Sequence, residues 1–141
     1  MRIYKFVLIL IVSVLCINAL TACGSPQAEV SESVTADDII GTWGSGGFYF
    51  QFRDDGTFRV SNILSNLNTD VPQDIGTYVV ENGILTLTSG EMTRFCNEGE
   101  IGKYALSFGD NGELELLLQS DECKIREAPP SLQIFTRVEG G

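Results

Sequence analysis

The 141-residue chain contains no histidine. Haem ligation of the usual kind and serine catalysis through an imidazole base are therefore excluded. A lysine base is not indicated either, because no serine-lysine motif stands near Lys103 or Lys124. Positive charge is scarce: nine Lys and Arg face nineteen Asp and Glu, a net charge of −10. Such a surface repels polyanions, so no nucleic-acid partner is expected. The acidic residues do not assemble into a site of their own. Asp54-Asp55 and Asp110-Asn111 stand beside glycines, where short polar side chains cap turns, and Asp121-Glu122 abuts a cysteine in a loop. None follows the spacing of a calcium loop or suggests a facing carboxylate pair. No metal, no cofactor and no enzymatic activity are expected.

Long apolar runs are also absent, with one exception at the start. Arg2 and Lys5 precede an apolar stretch from Phe6 to about Ile17, the charged and apolar regions of an export signal. It is short and wrongly flanked for a membrane span. Leu20-Thr21-Ala22-Cys23 then resembles the lipobox of bacterial lipoproteins. That resemblance implies removal of residues 1–22 and acylation of Cys23, including diacylglycerol on its sulfur. At about 0.8 kcal/mol per buried methylene, two or three chains hold a protein on a bilayer durably. The expected location is thus extracytoplasmic, lipid-anchored at the cell membrane or outer membrane, with Cys23 providing the partnership with the bilayer. Loss of Arg2 and Lys5 takes the charge from −10 to −12, which leaves anchoring to the lipid rather than to electrostatics.

Cysteine is sparse enough to be accounted for residue by residue. Cys16 leaves with the signal and Cys23 carries lipid, so Cys96 and Cys123 remain. An even pair in an oxidising compartment reads as a structural disulfide. Closing a loop of about 28 residues contributes about 3.5 kcal/mol in the chain-entropy model.

Residues 24–36 are small, polar and acidic, and read as a flexible tether spanning about 20 Å. Thr35 and Asp38 have the spacing of a capping box, predicting one helical turn before Gly41. Beyond it the pattern alternates. Phe48, Phe50 and Phe52 share one face, and Asp54-Asp55-Gly56 turns the chain into Thr57-Phe58-Arg59-Val60. Residues 75–81 meet Asn82-Gly83, a strong hairpin signal, and return through Leu85 and Leu87. Residues 103–108 turn through Gly109-Asp110-Asn111-Gly112 into 113–118, and the last alternating run is 132–138. Residues 62–74 and 123–131 read as polar connections. With a short strand at 40–43 the total is about eight strands and no persuasive helix after residue 40. The fold class is all-β, and the domain over residues 37–141 is expected to be a small antiparallel up-and-down barrel. Closing such a meander buries its apolar faces and removes its edges; a flattened two-sheet sandwich is the alternative.

Gly41-Thr42-Trp43 on the first strand and Thr136-Arg137-Val138 on the last resemble the corresponding motifs of the calycin group, which includes the lipocalins. The domain looks most like the small lipocalin-like lipoproteins of bacteria. The resemblance covers about residues 39 to 138 and implies that Arg137 packs across Trp43 and closes one barrel end. A Thr-Asp-Tyr-like second motif and a C-terminal helix are missing, and a single tryptophan disfavours biotin capture of the avidin kind. The inward faces, which are Phe48, Phe50, Phe52, Phe58, Tyr78, Val80, Leu85, Leu87, Tyr104, Leu106 and Phe108, are either pocket wall or closed core. In a pocket, the two tyrosine hydroxyls would orient a ligand. Two functions follow as expectations. One is binding of a small apolar or amphipathic molecule at the envelope. The other is an acidic interaction module that docks a cationic protein, such as a lysozyme or a protease, through its loops.

Overall fold

A computed structural model describes residues 33–70, 72–91, 93–126 and 132–139. The expected export signal, Cys23 and most of the expected tether lie outside the described residues. Thr35 opens a one-turn helix, α1 (Ala36–Ile39), at the predicted capping box. Its backbone N–H and its hydroxyl both donate to Asp38 Oδ2, at 2.8 and 2.7 Å.

Eight strands follow: β1 (Gly41–Ser45), β2 (Phe48–Phe52), β3 (Thr57–Ser61), β4 (Asp74–Glu81), β5 (Ile84–Ser89), β6 (Ile101–Phe108), β7 (Leu114–Asp121) and β8 (Leu132–Arg137). Each pairs antiparallel with the next, and β8 returns to β1, so the sheet is a closed barrel in simple meander order. The tight turns form where the chain supplies residues that tolerate positive φ. Gly46 and Gly47 turn β1 into β2, Gly56 turns β2 into β3, and Asn82-Gly83 turns β4 into β5.

The two ends differ as a consequence. The β2–β3, β4–β5 and β6–β7 turns gather at one end with α1. The other end carries the β1–β2 turn and the three long connections. The first of these, expected to be an irregular polar segment, contains a 3-10 helix (Leu64–Asn68) with Leu67 buried beneath it. Arg59 holds that connection through the carbonyl oxygens of Leu67 and Thr69, at 3.0 and 2.8 Å.

Alternation places one face of every strand inside. Trp43, Phe50, Phe52, Phe58, Val60, Tyr78, Leu85, Leu87, Tyr104, Leu114, Leu116 and Phe135 form the core with Ile39. Aromatic rings interlock there, Phe50 edge-on to Phe135 and Phe52 edge-on to Tyr78. Room for these rings comes partly from Gly76, where a Cβ would overlap the Thr88 carbonyl oxygen and press within 2.9 Å of the Phe58 ring. Much of the interior is thus filled by the protein's own side chains.

Candidate functional site

The end bearing α1 is sealed by Trp43. Its indole Nε1 donates to the Ile39 carbonyl oxygen at 2.8 Å, Phe108 packs 6.0 Å away between ring centroids, and the Arg137 guanidinium lies 4.4 Å from the ring centroid. Arg137 also donates to the carbonyl oxygens of Ile40 and Asp38, at 3.0 and 3.3 Å. Gly41 leaves space for it, since a Cβ there would stand 2.7 Å from Arg137 Nη1. These bonds satisfy the carbonyls that a one-turn helix leaves open.

The opposite end is organised by a residue that the alternating pattern did not single out. Arg126, in the β7–β8 connection, is 5 % exposed. Its Nε donates to Asp121 Oδ2 at 2.9 Å and its Nη2 to Asp121 Oδ1 at 3.0 Å, a two-pronged pairing. The second Nη2 proton goes to the Glu100 carbonyl oxygen at 3.3 Å, and Nη1 donates to Asp74 Oδ2 and Ser89 Oγ. All five guanidinium protons are therefore bonded, and the side chain bolts the ends of β4, β5 and β7 together. Tyr104 joins by donating its hydroxyl to Asp121 Oδ2. The Cys96–Cys123 disulfide is formed as expected, and it ties the β5–β6 connection to the segment leading to Arg126. The Cys123 carbonyl accepts from the Arg126 N–H at 3.0 Å.

This network alters its members' acidities. At Arg126 burial opposes the charge, but hydrogen bonds and attraction from Asp121 and Asp74 outweigh it and push the pKa up. Burial, followed by the bond to Asp121, pushes the Tyr104 hydroxyl up. Asp74 is raised by burial, which outweighs the guanidinium beside it. One of its oxygens, Oδ1, is buried without a hydrogen-bond partner, which adds to the cost of the charged form.

The bolt spans only the β4–β7 side of this end. On the other side β1 and β8 pair at two positions, Trp43 with Arg137 and Gly44 with Thr136, and then diverge. A cleft of about 470 Å³ opens in the gap, lined by Ser45, Gly46, Phe48, Phe50, Ile125, Arg126, Leu132, Gln133, Ile134 and Phe135. Phe48, Ile125, Leu132 and Ile134 are also partly exposed at its rim. A second, shallower groove of about 300 Å³ lies at the sealed end, bordered by Asp37, Asp54, Glu81 and Tyr78.

The expected inward faces are divided by this arrangement. Phe48 and Phe50 reach the cleft. Phe52, Phe58, Leu85, Leu87, Tyr78 and Tyr104 sit in the packed core, with Val80 and Leu106 partly buried against it. Phe108 belongs to the Trp43 seal. Both tyrosine hydroxyls expected to orient a ligand donate within the protein: Tyr104 to Asp121, and Tyr78 to the Arg53 carbonyl oxygen at 2.8 Å, fastening the β2–β3 turn. Asp121, expected in a loop, ends β7 with its side chain fully buried against Arg126. An arginine three residues after a structural cysteine, in an acidic chain, was the one available signal for the bolt. Its partners Asp74 and Ser89 lie 52 and 37 residues away, so spacing could not join them.

The class defined by these features is a closed eight-stranded meander barrel with one sealed end and one half-bolted end that carries an apolar cleft. Compared with known proteins, the chain matches no family model, no curated protein and no solved structure.

Proposed function

We propose that this is a lipocalin-like barrel of the bacterial envelope, anchored through acylated Cys23, that binds a small apolar or amphipathic molecule. Its place of binding is the cleft between β1–β2 and β8 rather than the barrel centre. The observation that carries the reading is the cleft itself. Its volume of about 470 Å³ is in the range of small-molecule sites, and its wall is apolar with only a few polar groups. The Trp43–Arg137 seal and the meander order support the lipocalin-like reading. The lipobox residues support the anchor.

The test is native mass spectrometry of the unlipidated mature chain, residues 23–141, exported behind a conventional signal in a lipid-rich host. Bound mass that disappears in Phe48→Asp is expected. A protein without bound mass, and without a thermal shift across a panel of apolar compounds, would sink the reading. For the anchor, labelled palmitate should be incorporated into the full chain and lost in Cys23→Ala.

The acidic interaction module is the second reading, favoured by partly exposed Ile63, Leu64 and Phe95 on the long connections of this acidic domain. A cationic protein captured at low salt and released at high salt would favour it.

A further inference from the structure

We propose that the cleft selects uncharged amphiphiles, with a hydroxyl or amide head, and rejects carboxylates such as fatty acids. This rests on the ligand-binding reading above and names the chemistry of its ligand. Among the described residues that line the cleft, Arg126 is the only charged one. An exposed arginine there would be the natural seat for an anionic head. This one is not available, because its five N–H groups are taken by Asp121, Asp74, Ser89 and the Glu100 carbonyl. The ionic cluster behind the wall holds two carboxylates for one guanidinium. Whether Asp74 is ionised or protonated, that cluster carries no net positive charge. A carboxylate entering the cleft would shed its water and find neither a free charged donor nor a favourable potential, a situation that strongly disfavours the charged form.

The other polar groups in the wall are neutral. Ser45 brings a hydroxyl and Gln133 an amide, and the Gln133 Nε2 bond to the Arg126 carbonyl is long, at 3.4 Å. A hydroxyl can donate and accept, and an amide does both, so these groups match an alcohol or amide head without any charge to desolvate. The wider surface acts in the same direction, since nineteen acidic residues face nine basic ones.

The experiment uses a matched pair, 1-decanol and decanoate, titrated calorimetrically into the unlipidated mature chain at neutral pH and physiological salt. The alcohol is expected to bind, with decanoate weaker by about tenfold or more. Equal or tighter binding of decanoate overturns the selectivity while leaving the cleft as a binding site. Binding of neither compound overturns the cleft reading itself. A second measurement uses Asp121→Asn, which removes the carboxylate paired two-pronged with Arg126 while leaving a side chain of nearly the same size. The ratio of decanoate to decanol affinity should rise in that variant, and an unchanged ratio in a folded protein would count against the role given to the saturated guanidinium.

Discussion

Trp43 serves several needs with one side chain. It fills the sealed end, donates to Ile39, and offers its face to Arg137. Replacing it with alanine should cost about 3–5 kcal/mol, because the indole is buried and its cavity is held open by closed strands. Urea unfolding followed by circular dichroism measures this, and the folded fraction of Trp43→Ala should still bind 1-decanol, since the cleft is at the other end. Asp74 offers a different test. Its carboxyl is raised by burial against an unfolded chain that titrates normally. Below the unfolded value both states hold the proton, and the residue's contribution is fully present. As pH rises the unfolded chain ionises first, and the contribution is lost as pH climbs through the raised folded value. The stability of the native protein relative to Asp74→Asn should therefore decline from acid toward neutral pH, as read by unfolding midpoints across that range. A flat or rising difference would show that Arg126 compensates the charge fully.

At the scale of elements, the connection from β7 to β8 depends on a covalent tie as well as on the bolt. Cys96→Ser with Cys123→Ser should lower stability by about 2–4 kcal/mol. The same change frees the segment that places Arg126, so decanol binding should weaken alongside the unfolding midpoint. The hairpins behind this architecture were readable in the chain because their causes are local. Asn82-Gly83 and Asp54-Asp55-Gly56 supply the turn conformations, and alternating Phe48, Phe50 and Phe52 supply the buried face. The cleft and the bolt were not readable, because their causes are distant. Arg126 looks like one more polar residue in a polar run until closure brings Asp74, Ser89 and Asp121 around it. Nor does alternation reveal that β1 is only five residues long and diverges from β8 after two pairs. That detail moves the proposed ligand wall from the filled interior to the seam.

The described domain is a ring of eight strand pairings, and a ring opens first where it is weakest. The β1–β8 seam is joined at two register positions, with added support from the Val138 N–H to the Thr42 carbonyl oxygen at 2.8 Å, whereas β6 and β7 are paired over seven. Fluctuations at that seam should expose amides far more often than global unfolding does. Hydrogen exchange should find the β1 and β8 amides at the seam exchanging well before those of β4 and β5, and added decanol should slow the seam selectively. Uniform protection around the barrel would contradict this. The cleft is bounded by the same two strands, so in the proposed reading the joint expected to open first would also be the doorway. A guest lodged there would act as a wedge that seats the joint rather than forcing it, and its residence time would be governed by how often the ring unlatches.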